Sequence, residues 1–213
     1  MKKIVLSIAA LFVFVATFAQ TKGEKYIAAT ASASFGNQNI ATSNGFSTDN
    51  AKSPLGSTIS IQGELGVFIA DKVRFGLAIG VPFTSTPTTQ SGSDWLYAKT
   101  LGVNITPNLA FYGRITDSFF YAPELGLAYE TGRYEEDVVA SYSFNAKYSG
   151  WGVSANLLSF EFRINPKIAL GVSAGALTYL KVTVKADSSA ASVTTEQRRF
   201  DLNSGSLCIR HYF

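Results

Sequence analysis

The sequence ends with Ser206-Leu-Cys-Ile-Arg-His-Tyr-Phe213, and this stretch decides the fold. Leu207, Ile209, His211 and Phe213 fall on one face of the stretch, and the other four residues fall on the opposite face. A period of two is typical of a β-strand. The final residue is aromatic and no polar tail follows it. A water-soluble protein seldom ends on an exposed phenylalanine, so a similar apolar face is expected on the other strands.

The first residues predict a secretory signal peptide that covers residues 1–19. Lys2 and Lys3 precede an apolar run, and small residues lie before an expected cleavage after Ala19. A membrane anchor is the alternative interpretation, but the run is shorter than the roughly 20 residues that a spanning helix needs. The single cysteine, Cys208, is far from this run, so neither a lipid attachment site nor an internal disulfide is expected. The mature domain is expected to span residues 20–213.

The composition excludes several classes of protein. Without Lys2 and Lys3, the formal charge of +3 becomes 3 − 2 = +1, which argues against nucleic acid as a partner. Charged residues make up 15% of the chain, against about 25% in a typical soluble domain. No later apolar run approaches the length of a spanning helix, so a membrane protein of this composition is expected to be a β-barrel.

Three similar hairpins follow one another along the chain. Their tight turns are Ile69–Val73, Ile115–Phe119 and Ile164–Ile168, which recur after 115 − 69 = 46 and 164 − 115 = 49 residues. On either side of each turn, every second residue is apolar. The alternation slips by one position near Leu157, which predicts a β-bulge there.

A first strand over residues 25–35 and a last strand over 198–213 bring the number of predicted strands to eight. Polar segments near 36–57, 84–98, 131–149 and 182–197 alternate with the tight turns and are predicted to be long loops. This arrangement predicts an all-β fold, an eight-stranded antiparallel up-and-down transmembrane β-barrel. Pro107 and Pro123 lie inside predicted strands, where each removes a backbone donor, and local bulges are the expected accommodation.

The composition of the second face decides which face points outward. A lipocalin-like soluble barrel would keep its apolar face inside and carry Lys and Glu outside. Here the second face instead carries small residues that suit the inside of a narrow barrel, so the apolar face is predicted to meet lipid. These small residues are Gly66, Gly76, Ala78, Gly80, Ala110, Ala122, Gly126, Ala128 and Gly171.

Aromatic residues gather near both ends of the predicted strands and predict two interfacial girdles. The loop-side group is Phe83, Trp95, Tyr97, Tyr129, Tyr148, Trp151 and Tyr179. The turn-side group is Phe75, Phe111, Phe119, Tyr121, Phe160, Phe162 and Phe213.

Several strand patterns resemble a known family. Ile105–Tyr112, Pro123–Tyr129 and Leu158–Phe162 are similar to strands of the outer-membrane β-barrel domain family of Bacteroidetes, which is OmpA/OmpX-like. The terminal strand, with Leu207, Ile209, His211 and Phe213, resembles the C-terminal insertion signal of such barrels. The resemblance implies an outer-membrane location, recognition by the barrel-assembly machinery, and no catalytic residues.

Six charged residues are predicted to point into the lumen near the turns: Glu64, Arg74, Arg114, Glu124, Glu161 and Arg163. Equal numbers of the two signs favour a buried ion-pair network that plugs the barrel, because isolated charges there would be costly. A gated narrow pore or a proton path is the alternative. Eight strands leave room for side chains only, which favours the plug.

Other candidate sites are weak. His211 falls on the lipid-facing side of the last strand, where it does not form a Ser-His-acid hydrolase site, and this disfavours a lipid A deacylase. Glu135–Asp137 offers oxygen ligands for a divalent cation, but a solvated loop tip is the favoured interpretation. No phosphate-binding loop, no metal-spaced Cys/His set and no nucleotide fingerprint is present. We expect no cofactor and no resident metal.

The sequence therefore predicts a small outer-membrane protein with a structural or surface-interaction role carried by its four long loops. An envelope lipid-modifying enzyme and a narrow pore are the alternatives. Expected partners are membrane lipid and lipopolysaccharide, together with a loop ligand whose chemistry the sequence does not specify. Lys181, Lys185, Arg198 and Arg199 flank the last loop and are candidates for contact with lipopolysaccharide phosphates.

Overall fold

The computed structural model describes residues 22–36, 39–43, 48–52, 56–91, 94–139, 142–186 and 192–213. The predicted signal peptide lies outside the described residues. No helix in the described part of the chain is long and apolar enough to cross a membrane. The strands are β1 (Lys25–Gly36), β2 (Asn39–Ser43), β3 (Thr48–Lys52), β4 (Gly56–Ala70), β5 (Val73–Ser91), β6 (Asp94–Phe111), β7 (Gly113–Arg114), β8 (Phe119–Tyr121), β9 (Glu124–Val139), β10 (Tyr142–Asn156), β11 (Leu158–Asn165), β12 (Ile168–Ala186) and β13 (Ser192–Tyr212).

Eight long strands, each taken together with any short strand that continues it and called a stave below, close into a ring. Antiparallel pairing runs through β1, β4, β5, β6, β9, β10, β12 and β13 and returns to β1. Short strands β7, β8 and β11 continue β6, β9 and β10 at the turn end, and β2 and β3 form a separate hairpin. The ends of the seam meet where Lys25 N donates to Phe213 O at 3.1 Å and Phe213 N donates to Lys25 O at 2.9 Å. The predicted eight-stranded antiparallel barrel is confirmed.

The three short turns lie at the same end as the seam contact between Lys25 and Phe213. Lys72 completes the first turn in the left-handed region, with φ 70°. In the second turn the Thr116 hydroxyl accepts the amide of Phe119 at 3.1 Å. In the third turn the Asn165 side-chain oxygen accepts the amides of Lys167 and Ile168 at 2.8 and 2.9 Å. Local hydrogen bonds therefore satisfy the backbone in each tight reversal.

The long polar segments were predicted to be loops, and for three of the four this prediction is wrong over most of their length. The β5–β6, β9–β10 and β12–β13 ladders continue as paired strands well past the apolar residues, to Ser91, Val139 and Ala186. The physical reason is that ladder hydrogen bonds join backbone groups and do not require apolar side chains. Apolar alternation therefore marks the membrane-facing part of each strand and underestimates the strand itself.

Pro107 interrupts the ladder locally without shifting its register, so the bulge predicted at this proline is absent. Pro107 pairs with Leu77 on β5, but on the β9 side the paired positions pass from Ile105 directly to Asn108. The backbone N–H that Pro107 lacks therefore interrupts the pairing of β6 with β9 and leaves its pairing with β5 in place. Pro123 occupies the break between β8 and β9 and is fully buried.

The predicted bulge near Leu157 is present. Relative to the neighbouring stave, Asn156 pairs with Glu124 and Phe160 pairs with Tyr121, so four residues on one side oppose three on the other. Val153 and Leu158 both face outward although they are an odd number of residues apart, so the alternation changes phase between them. Gly175, with φ 71°, marks an irregularity at the same level of β12.

The apolar face points outward. Residues Ile61, Leu65, Ile79, Leu127 and Leu207 are each more than half exposed. On β5 the outward apolar positions run from Val73 to Phe83, which corresponds to about 25 Å along the barrel axis at ~3.3 Å per residue and a tilt of ~40°. That height matches the apolar band of a transmembrane barrel.

The outward face also tests the predicted aromatic girdles. Phe83, Tyr129 and Trp151 lie outward on the loop side, and Phe162 and Phe213 lie outward on the turn side. Tyr148 was assigned to the loop-side girdle, and this is wrong because it lies in the phase opposite to Trp151 and is buried inside the barrel.

Candidate functional site: the ion network in the lumen

The turn-side half of the lumen is filled by five large aromatic side chains. Each is at most 5% exposed, and together they form the largest part of the buried core: Tyr26, Phe68, Tyr112, Phe120 and Tyr212. The rings of Phe68 and Tyr112 meet edge to face at 5.2 Å, and those of Tyr26 and Tyr212 lie 5.9 Å apart. Three of the five carry hydroxyl groups, which need partners when buried.

Glu161 on β11 is a centre of hydrogen bonding. Its Oε2 accepts Tyr112 Oη and Arg210 Nη1, each at 2.7 Å, and its Oε1 accepts Tyr212 Oη at 2.7 Å. Arg163 Nε approaches Oε1 at 3.9 Å. The Glu161 side chain has no exposed surface. A buried carboxylate is tolerated only with such compensation.

Arg74 on β5 forms the second centre. Its Nη1 donates to Tyr112 Oη at 2.7 Å and its Nη2 donates to Glu124 Oε2 at 2.6 Å. Glu64 Oε1 lies 3.8 Å from Nη2 and also accepts the Tyr26 hydroxyl. Because Tyr112 contacts both Arg74 and Glu161, the two centres form one network, which we call the lumenal network.

Aromatic faces and a rim pair complete the lumenal network. The Arg74 guanidinium lies 5.1 Å from the ring centre of Tyr26, and that of Arg163 lies 4.1 Å from the ring centre of Tyr212. Arg163 Nη2 also donates to Glu24 Oε2 at 2.9 Å, near the turn-side opening. Cation–π contacts of this kind add stabilisation where the cation is desolvated.

Glycines make room for these groups. A Cβ placed on Gly76 would overlap the Glu64 carboxylate and the Tyr26 hydroxyl, and would lie 2.7 Å from Asn108 Oδ1. A Cβ on Gly66 would overlap the same Tyr26 hydroxyl. The small residues on the inward face are therefore required by the size of the network.

The structure brings together five of the six residues that were predicted to point into the lumen. Glu64, Arg74, Glu124 and Glu161 meet, and Arg163 joins them at the rim. Arg114 does not: its side chain is 41% exposed and it pairs with Asp117 within the second turn. The reason is its position on β7, beyond the break at Tyr112, where the local turn lies closer than the lumen.

Three kinds of residue were missed. Arg210, Glu24 and the three tyrosines belong to the lumenal network but were not assigned to it. Arg210 and Tyr212 lie in the same phase of β13, opposite the outward Ile209. The alternation along β13 was a signal that both side chains enter the lumen, because an arginine between two lipid-facing residues must point inward.

A smaller polar group lies higher in the barrel. Tyr148 donates to Glu130, and a Cβ on Gly102 would overlap the Tyr148 hydroxyl. The Tyr134 hydroxyl donates to Glu136 Oε2 at 2.7 Å. Acidic side chains on the inward face of β9 thus accept hydrogen bonds from tyrosine hydroxyl groups.

The remaining candidates do not assemble into sites. His211 faces outward and its ring lies 6.2 Å from that of Phe213. Glu135–Asp137 lies in β9, where Asp137 is 3.7 Å from Lys99 Nζ. Within the described ranges, no group of three or more His, Cys, Asp or Glu residues is placed to hold a metal ion. Leu207, Ile209, His211 and Phe213 share the outward face of β13.

Solved outer-membrane barrels are similar in fold to this chain. OprG, an outer membrane protein of Pseudomonas aeruginosa, is 18% identical, with a TM-score of 0.52 and coverage of 92% of this chain and 98% of that one. This chain has the fold of an OmpA/OmpX-like outer-membrane β-barrel.

Other barrels match at lower similarity. The N-terminal barrel domain of Pseudomonas aeruginosa OprF is 10% identical, with a TM-score of 0.47 and coverage of 91% and 100%. The Escherichia coli outer membrane protease OmpT is 6% identical, with a TM-score of 0.35 and coverage of 93% and 97%. No protein-family model and no curated protein matches the sequence.

Proposed function

We propose that this protein is a sealed barrel of the outer membrane with a structural or surface-interaction role, carried by the extended strands and connections on the long-hairpin side. One observation supports this most directly. The turn-side lumen is filled by the lumenal network, in which Arg74 and Glu161 are each 1% exposed. Eight strands enclose little more than the volume of their inward side chains, so such packing supports a sealed lumen.

The narrow pore is disfavoured by the same packing. Opening a path past Tyr112 would separate buried charges from their partners, at a cost of about 3 to 5 kcal/mol for each broken pair. A lipid-modifying enzyme would need polar catalytic groups together on the outward face. The outward His211 lies instead at the turn end, beside Phe213.

Liposome conductance tests the seal. Purified protein is reconstituted at increasing protein-to-lipid ratios, and ion flux is compared with empty liposomes. We expect no flux above the empty control, whereas a Tyr112→Ala/Phe68→Ala double variant that still shows barrel mobility on SDS gels should leak. Wild-type flux that rises with protein content would overturn the sealed barrel in favour of the pore.

Cell fractionation tests the location. The apolar outward face favours recovery of the chain with the outer membrane, after insertion by the barrel-assembly machinery. Recovery of folded protein from the periplasmic soluble fraction would contradict this part of the proposal.

A further inference from the structure

A row of three cations crosses the outer wall of the barrel on the long-hairpin side. Arg133 on β9 is the cross-strand partner of Lys147 on β10, and Lys147 is in turn the partner of Lys185 on β12. All three side chains are exposed. They lie in the same outward phase as Tyr129, Trp151 and Leu177 of their own strands. The row therefore faces the surroundings of the barrel and not its lumen.

This row stands just beyond the apolar band. Trp151 and Tyr179 form an edge-to-face pair with ring centres 5.9 Å apart, in the manner of interfacial aromatics. Arg133 lies four residues beyond Tyr129, and Lys147 four residues beyond Trp151. At ~3.3 Å per residue and a tilt of ~40°, this places their backbones about 10 Å above those rings. Long basic side chains reach back from that height into the headgroup layer.

The row is unfavourable for the isolated protein. Like charges directly opposite each other on neighbouring strands destabilise a sheet. Within the described part of the chain, none of Arg133, Lys147 and Lys185 forms an ion pair. In the next row above, farther from the apolar band, Lys99 by contrast faces Glu135 in register. The sequence thus balances charge one row away but leaves this row uniformly basic.

We infer that Arg133, Lys147 and Lys185 bind the phosphate groups of a phosphorylated outer-leaflet lipid of the lipopolysaccharide type. This rests on the proposed location in the outer membrane and adds a specific lipid contact to it. Arginine offers paired donors to phosphate and lysine offers a point charge, so one such headgroup can neutralise neighbouring cations. Lys181, in register with Trp151 at the lower edge of the row, adds a further basic residue close to the lipid.

The test uses the full-length barrel in phosphatidylcholine vesicles that contain purified lipopolysaccharide, the same lipopolysaccharide after enzymatic dephosphorylation, or neither. Retention of labelled lipopolysaccharide by the barrel is measured for the wild type and for an R133Q/K147Q/K185Q variant. The matched control is K22Q/R114Q/K167Q, which removes three exposed charges from the turn side. We expect roughly 100-fold weaker binding in the first variant, since each basic residue near an anionic surface contributes a factor of about five.

The proposal requires that the control variant and the wild type bind alike, and that dephosphorylated lipid binds as weakly to the wild type as intact lipid binds to the first variant. Equal loss in both triple variants would reduce the effect to net charge and overturn the site. Competition by inorganic phosphate at the same phosphate concentration would assign a general anion site instead of a lipid headgroup. SDS-gel mobility and cell fractionation of each variant report separately on the fold and the location.

Discussion

At the scale of single residues, Glu161 has the largest set of charged and polar partners in the lumen. It accepts hydrogen bonds from Tyr112, Arg210 and Tyr212 while its side chain is completely buried. Glu124 has one direct ion-pair partner, Arg74, and its side chain is 21% exposed. Loss of the Glu161 carboxylate leaves more buried groups unpaired than loss of the Glu124 carboxylate. Substitution of Glu161 is therefore expected to destabilise the barrel more.

Glu161→Gln should lower the stability of the barrel in detergent by about 3 to 5 kcal/mol, because the amide leaves Arg210 as an uncompensated buried charge. Glu124→Gln should cost less, since Arg74 keeps Glu64 at 3.8 Å. Thermal and urea unfolding in micelles measure both. Arg114→Gln is the matched control and should change stability by less than about 1 kcal/mol, as expected for an exposed pair. An E161Q variant that melts with the control would refute the network at its centre.

Gly76→Ala should also destabilise the barrel, because the added Cβ overlaps the Glu64 carboxylate and the Tyr26 hydroxyl. Gly63→Ala provides the comparison on the neighbouring strand, where a Cβ meets nothing within 4 Å. We expect a lower unfolding midpoint for G76A only. Equal midpoints for the two alanine variants would show that the network relaxes without cost.

At the scale of elements, β13 combines two roles on its two faces. Arg210 and Tyr212 point into the lumenal network, while Ile209 and Phe213 face lipid at 52% and 64% exposure. The backbone of Phe213 also bonds Lys25 in both directions and closes the seam. A deletion of this residue would remove the seam contact together with the ring, so a side-chain substitution separates the two effects.

Phe213→Ala should reduce the amount of assembled barrel in cells far more than the loss of a few kcal/mol of burial would suggest. The ring is expected to form part of the signal that the assembly machinery reads. Refolding of the purified variant in detergent should be close to normal. Phe162→Ala, which removes another lipid-facing ring at 49% exposure, is the control. If F213A and F162A assemble equally in cells, the terminal phenylalanine is an ordinary strand residue.

At the scale of the whole molecule, closure determines the response to detergent. Every stave has two paired neighbours, and the contact between Lys25 and Phe213 leaves no free edge at the seam. Such a barrel resists SDS until it is heated. The protein should therefore migrate faster unboiled than boiled. Identical migration of both samples would argue against a closed barrel, and E161Q should convert to the slow form at a lower temperature than the wild type.

The sequence by itself determined the number of barrel strands, the membrane-facing part of each strand and its outward face. These features are local, since alternation with period two is visible in a single strand such as Val73 to Phe83, and the phase slip near Leu157 was visible in the same way. Sequence alone failed at Arg114, which was assigned to the lumen, and at Tyr148, which was assigned to a girdle. In both cases a single residue was assigned without following its phase or its local break in the strand.

Only the tertiary structure decided which inward residues lie at the same height along the barrel axis. Glu161, Arg74 and Arg210 come from three staves, and whether they meet depends on the stagger between neighbouring strands around the closed ring. The same stagger brings Arg133, Lys147 and Lys185 into one row. The stagger between strands is set by closure of the whole barrel, so the sequence of a single strand does not specify it. The extension of the strands past the lipid is also a tertiary outcome, because backbone pairing continues where apolar alternation has ended.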